Sequence, residues 1–321
     1  MVLNGGIIMS VKNVSMVTNV DVKKKGITNL LKNNIGFLYI FPWIIGFLLF
    51  KLYPFLSSLY YSLTDYNLFK EVINIIGIDN YKKIFETEKI RKAFVVTFKY
   101  ALMTVPLKLI FALFIAYILN FKIKGVNIFR TIFYIPSILG GSVAIAVLWK
   151  FLFQSNGLIN QMLDIFNITG PNWLGDADYS LFVVCLLRVW QFGSPMVIFL
   201  AALKGVPTEL YEAAAIDGAN KVKQFIRITI PLITPVIFYN LVTQLCQAFQ
   251  EFNGPYIVTD GGPLGSTTLV SLLVYQNAFM TYEMGFASAI SWLLFLIVMV
   301  LTVIAFISQK YWVYYSDEDG R

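Results

Sequence analysis

The chain has 321 residues, 58% of them hydrophobic and 13% charged, with a formal net charge of +7. Soluble domains carry about 25% charged residues, and the mean hydropathy here is +0.70, which excludes a domain facing water on all sides. Histidine is absent, which excludes His-based acid–base catalysis, Ser-His-Asp chemistry and His metal sites. The basic residues are spread between apolar runs rather than gathered in a patch, so nucleic acid is not an expected partner.

In chain order, six runs satisfy the roughly 20 apolar residues a spanning helix needs. They are 36–62, 94–120, 131–153, 180–203, 232–251 and 285–308. The first follows Lys23, Lys24, Lys25 and Lys32 and carries no small-residue cleavage signature, so it reads as a retained span. The expected fold is an all-α integral membrane protein. It has a cytoplasmic tail over 1–35, a six-span domain over 36–308 and a second cytoplasmic tail over 309–321. With the N-terminus inside, the inner segments hold fourteen Lys and Arg and the outer segments six, which supports both termini in the cytoplasm of a plasma-membrane protein. The exception is the first outer loop, 64–93, which carries all six outer basic residues beside five acids. Residues 80–93 read as a solvated or interfacial helix.

Lys99 and Lys108 fall in the second span; the deeper Lys108 needs a partner or water. Cys185 sits in the fourth apolar run and Cys246 in the fifth, as packing residues rather than a disulfide framework. Arg188, Trp190 and Gln191 fall together in the fourth. In the fifth, Asn240, Gln244, Gln247 and Glu251 recur at i, i+4, i+7 and i+11 along one helical face. Such a stripe suits hydrogen bonding to sugar hydroxyls, and amides also hold helices together at about 0.6 to 2 kcal/mol each. Arg188 faces a cavity or pairs with Glu251. Phe249 and Phe252, flanking the stripe, read as packing. GGPLGSTT at 261–268 has no lysine before its Ser-Thr and is no phosphate loop, so no ATP site is expected in this chain. Residues 267–280 are too short for a span and read as an outer or interfacial helix.

Between spans four and five lies a polar loop, 204–231, too long for a mere connection. It contains EAAAIDGAN, residues 212–220. Tyr211 to Ile216 is rich in helix formers, and Gly218 suits the left-handed turn that ends a helix. Val222, Phe225 and Ile228 give a second short helix an apolar face opposite Lys221, Lys223 and Arg227, and Pro231 stops or redirects it. From pattern alone, this helix–turn–helix is equally a docking element or a packing one.

The run EAAAIDGANKVKQFIRITIPLITP resembles the EAA motif of binding-protein-dependent ABC transporter permeases. The match falls on Glu212, Ala213, Ala214, Asp217, Gly218, Ala219, Phe225, Ile228, Pro231 and Pro235. YPFLSSLYYSLTDYNL, IGIDNYKKIF, FRTIFYIPSIL, NWLGD and TDGGP resemble further landmarks of the carbohydrate-uptake branch, and the first of its two permease types. The resemblance implies one half of a pore whose loop sits in a cleft of an ATPase subunit, with Glu212 meeting the ATPase and Gly218 making the turn. It implies a second related permease, an ATPase pair holding ATP and Mg, an extracytoplasmic solute-binding protein, surrounding lipid and a sugar-like substrate. An ion-gradient-driven secondary transporter is the rival reading; it predicts inverted repeats and midplane carboxylates, which the sequence does not display.

Overall fold

The computed structural model describes residues 39–121 and 125–315. The predicted tail over 1–35, the last six residues of the predicted C-terminal tail, and Lys122 and Lys124 lie outside them. Contacts divide the chain into two compact units, residues 1–57 and 58–321.

The described residues are helical, with one isolated antiparallel bridge between Thr64 and Ile75. Three helices are long and apolar enough to cross a membrane: α1 (Tyr39–Ser62), α3 (Glu88–Asn120) and α13 (Met284–Trp312). Three more candidates are bent pairs: α4 (Val126–Leu139) with α5 (Val143–Leu152), α7 (Ala177–Trp190) with α8 (Gly193–Lys204), and α10 (Lys221–Leu232) with α11 (Thr234–Phe249). Among the described residues there are also the short helices α2 (Asp79–Glu86), α6 (Leu158–Ile165), α9 (Thr208–Ile216) and α12 (Val270–Met280), and a five-residue helical turn at Pro255–Thr259.

In the first unit, residues 39–57 form most of α1, and Tyr39, Trp43 and Phe50 are exposed. In the second, α3 is the central helix. Its buried positions include Ala93, Thr97, Tyr100, Thr104, Lys108, Ala112 and Leu119, a 3.6-residue rhythm that draws one continuous stripe. Helices α7, α8, α11 and α12 pack on that stripe.

The uninterrupted runs expected at 131–153 and 180–203 are each broken, and the run at 232–251 is bent at its start away from the helix before it. The first turns by 101° at Gly140–Gly141, where missing side chains let the backbone bend and approach its neighbours. A Cβ on Gly140 would overlap the Gln191 side chain. The second turns by 46° after Trp190. There Ser137 of α4 donates its hydroxyl to Gln191 O at 3.0 Å and accepts from Ser194 N at 2.9 Å. Both are backbone groups that a break in lipid would otherwise leave unpaired. The third turns by 67° at Ile233, between Pro231 and Pro235, as prolines that cannot donate to a preceding turn require.

Three other expectations change. Residues 80–93 are not one surface helix: Thr87 leaves helical geometry, ends α2 and caps α3, so 88–93 open the long central helix. The 267–280 segment is a helix, but an embedded one. Val270, Leu272 and Leu273 are fully buried, and Val270 N donates to Thr97 Oγ1 at 3.0 Å. The helix carrying the amide stripe ends at Phe249, two residues before Glu251.

Candidate functional site

The loop between the fourth and fifth apolar segments is built by three devices. Asp217 closes α9, and Gly218 follows at φ +73. Ala219 N then donates to Ala214 O at 2.9 Å and Gly218 N to Ala215 O at 3.1 Å, the paired bonds of a Schellman turn. Asn220 opens α10, its Oδ1 accepting from Lys223 N at 2.8 Å. Gln224, 3% exposed, braces the two arms by donating to Tyr211 O at 3.3 Å and Ala219 O at 3.1 Å. Tyr211 and Thr229 hydroxyls meet at 2.8 Å above it.

The outer face of this element stays open. Glu212, Ala213, Asp217 and Gly218 are exposed, and Ala214 and Ala219 half-buried. Ile216 is 88% exposed, with Val222 and Ile226 also exposed beside it. Phe225 turns inward against the Tyr117 ring at 4.6 Å, and Ile228 packs on the core. Val222 does not join that inner face, and Pro231 sits within a helix that runs on to Leu232.

A second arrangement centres on Arg188, at the end of α7. Its Nη1 donates to Gln191 Oε1 at 3.0 Å and its Nη2 to Gln247 Oε1 at 2.8 Å. Its Nε lies 3.5 Å from Glu251 Oε2. Glu251 also accepts from Gly254 N at 3.2 Å, and its backbone carbonyl accepts from the Ser271 hydroxyl. These side chains line an open cavity of about 270 Å³, together with Gly140, Gly141 and Phe252. Phe252 stacks on Tyr256 at 5.1 Å, so it serves both as packing and as cavity wall. Phe249 is buried edge-on against Phe98.

The remaining stripe residues point elsewhere. Gln244 accepts from Lys108 Nζ at 2.7 Å, and both are buried. Asn240 is 1% exposed, and its Nδ2 finds no partner among the described residues. The structure therefore gathers Arg188, Gln191, Gln247 and Glu251 at the cavity and places Asn240 and Gln244 inside the helix packing.

The family model described as the binding-protein-dependent transport system inner membrane component matches residues 85–313, a stretch holding both the loop and the cavity. The chain belongs to this family. A probable ABC transporter permease protein of Bacillus subtilis, YesP, is 46% identical over 93% of this permease and 98% of its own length. The trehalose/maltose transport system permease protein MalF of Thermococcus litoralis is 33% identical over 84% and 92%. A crystal structure of a bacterial ABC transporter that imports alginate contains a chain of the same fold, at TM-score 0.75 and 22% identity over 89% of this permease and 99% of that chain. Together these support an ABC permease over an ion-gradient-driven secondary transporter.

Sequence reasoning left three residues of the permease unassigned: Asn220, Gln224 and Ser137. Asn220 carried a readable signal, an N-cap residue directly before a helix. Gln224 and Ser137 bond to carbonyls and amides 5 to 57 residues away, and no local pattern announces such a pairing.

Proposed function

We propose that this permease forms one half of the membrane pore of an ATP-driven importer for a sugar or oligosaccharide. Relatives named for starch degradation products and trehalose/maltose support that substrate class, and one named for sn-glycerol-3-phosphate adds a phosphorylated polyol beside it. The observation that carries the reading is the loop: a braced helix–turn–helix with an exposed apolar rim at Ile216, Val222 and Ile226, and Glu212 and Asp217 exposed nearby.

On this reading there are six spans, namely α1, α3, α13, the bent pairs α4–α5 and α7–α8, and α11 with α10 left in the loop before it, and both termini are cytoplasmic. The loop 204–231 docks into a separate ATPase dimer that binds ATP and Mg. Glu212, Ala213, Ala214, Asp217, Gly218 and Ala219 make the contact, while Phe225 and Pro231 fix it to the membrane part. A second related permease completes the pore, and an extracytoplasmic solute-binding protein delivers substrate. ATPase closure moves the loop and re-aims the cavity by alternating access. Arg188, Gln191, Gln247 and Glu251 present donors and acceptors to hydroxyl groups in transit. Asn240 and Gln244 stand behind them. The chain itself performs no covalent chemistry.

The test is a mild-detergent pull-down of tagged protein from its own membrane. Recovery of an ATPase and a second permease, both lost on joint replacement of Glu212 and Gly218, supports the proposal. Recovery of the chain alone, still transporting after reconstitution, overturns it.

A further inference from the structure

A groove of about 580 Å³ runs between α4 and α8, apart from the polar cavity and ending at Lys204, the first residue of the loop. Its walls are apolar. Val197, Leu200 and Ala201 form one face of α8, continued by Lys204 at i+7, and Tyr134 stands opposite on α4. Both cations of the groove, Arg130 and Lys204, lie at one end, because Arg130 sits near the start of α4 and Lys204 ends α8. From Val197 to Lys204 the helix rises about 10 Å, the depth of an interfacial headgroup and the first part of an acyl chain.

Neither cation has an ionic partner among the described residues, where the ion pairs involve Lys70, Lys82, Lys83 and Arg188. Arg130 spends two donors locally, on Asn127 Oδ1 at 3.1 Å and Leu119 O at 3.2 Å. Its Nε is buried without an acceptor. A guanidinium offers five donors in a planar fork suited to phosphate. An apolar groove capped at one end by a fork and an ammonium matches one ligand chemistry in a bilayer.

We propose that this groove is a binding site for an anionic phospholipid of the cytoplasmic leaflet. The phosphate is held by Arg130 and Lys204, and an acyl chain lies along Val197, Leu200 and Ala201. The leaflet rests on the orientation proposed above, in which both cations fall on the inner side. Juxtamembrane Lys and Arg draw anionic headgroups there, and the Tyr134 ring suits the interface.

The transporter is purified by its tag with its partners and exchanged into detergent. It is then titrated with phosphatidylglycerol or phosphatidylcholine of identical chains and read by native mass spectrometry. Wild type should retain phosphatidylglycerol adducts on this subunit about tenfold more than phosphatidylcholine. The double variant Arg130→Gln/Lys204→Gln should lose that preference. Ala201→Trp, which fills the groove and leaves both charges, should weaken both lipids. Arg130→Lys, which keeps the charge, should retain part of the preference and checks that the site folds. Equal binding of the two lipids, or an unchanged preference in the double variant, overturns the site. A photo-crosslinker at position 197 that labels the second permease rather than lipid overturns it as well. Recovery of the ATPase in the same preparations reads the transporter assignment separately.

Discussion

Gln247 Oε1 accepts from Arg188 Nη2 at 2.8 Å, tying α11 to α7 across the mouth of the polar cavity. The same guanidinium reaches Gln191 and Glu251, so one side chain from the end of α7 and two from the end of α11 share one cation. Arg188→Gln leaves Glu251 half-buried without its charge partner. The expected loss is about 1–3 kcal/mol, read as a lower temperature midpoint of detergent-solubilised protein. The pair variant Arg188→Gln/Glu251→Gln should recover part of it. Additive losses in that double-mutant cycle would mean the two charges do not act on each other.

Lys108 and Gln244 form a buried pair with no carboxylate. Gln244→Leu removes the acceptor and strands the ammonium, at an expected cost of about 2–3 kcal/mol. Lys108→Met removes the charge and keeps the stem, so its cost should be far smaller. The order of the two midpoints is the measurement. A larger loss for Lys108→Met would place the value of the pair in the charge itself.

Gly218 has open space where a Cβ would stand, so its φ of +73, not crowding, demands glycine. Gly218→Val should strain the turn by roughly 1–2 kcal/mol while the protein still inserts. Substrate-stimulated ATP hydrolysis by the assembled transporter should fall with membrane levels unchanged. Wild-type stimulation in this variant would show that the turn's conformation does not matter to coupling.

Gln224→Leu withdraws the brace between α9 and α10. A loss of about 1–2 kcal/mol raises the opened population roughly 5- to 30-fold. Trypsin cleavage after Lys221 and Lys223 should accelerate by about that factor in solubilised protein. No change in nicking rate would leave Asn220 and the Tyr211–Thr229 bond as the sufficient ties.

The turn 65–74 makes a pH prediction. The Lys70 ammonium, 2.8 Å away, and the Asn74 N–H hold the Asp65 carboxyl down at about 2. A depressed acid favours the folded turn above the ordinary value of 3.8 and loses that contribution as pH falls through about 2. Amide exchange at Asn74 should stay protected down to about pH 3 and rise below it, while Asp65→Asn should show no such step.

The three long apolar helices were legible because apolar length is a strong local signal, and Gly218 because one residue type serves one backbone conformation. The bends were not. Gly140–Gly141 sits in a run whose apolar length reads as a single span despite Pro136, Ser137 and Ser142 beside it, and the break after Trp190 is completed by Ser137, more than fifty positions earlier. Spacing alone put Asn240, Gln244, Gln247 and Glu251 on one line. Spacing does not say which part of a face meets a cavity and which meets another helix; α3 decides that by placing Lys108 opposite Gln244. The reading of 80–93 as one solvated or interfacial helix failed at Thr87, where the chain leaves helical geometry for a single residue.

The hydroxyl of Ser137 has a mechanical consequence. It serves Gln191 O and Ser194 N at once, so the elbow between α7 and α8 is pinned by a third helix. Sliding α4 past it would take away the partners of Gln191 O and Ser194 N, and Pro195, which has no N–H, cannot replace Ser137 as the donor to Gln191 O. A Cβ on Gly193 would meet Phe133 O at 2.7 Å and Ser137 Oγ at 2.8 Å, so the contact is as tight as backbone allows. The elbow of α7 and α8 is thus anchored to α4 by one hydroxyl, and Arg188, one turn ahead of the elbow and bonded to Gln191, stands beside that anchor.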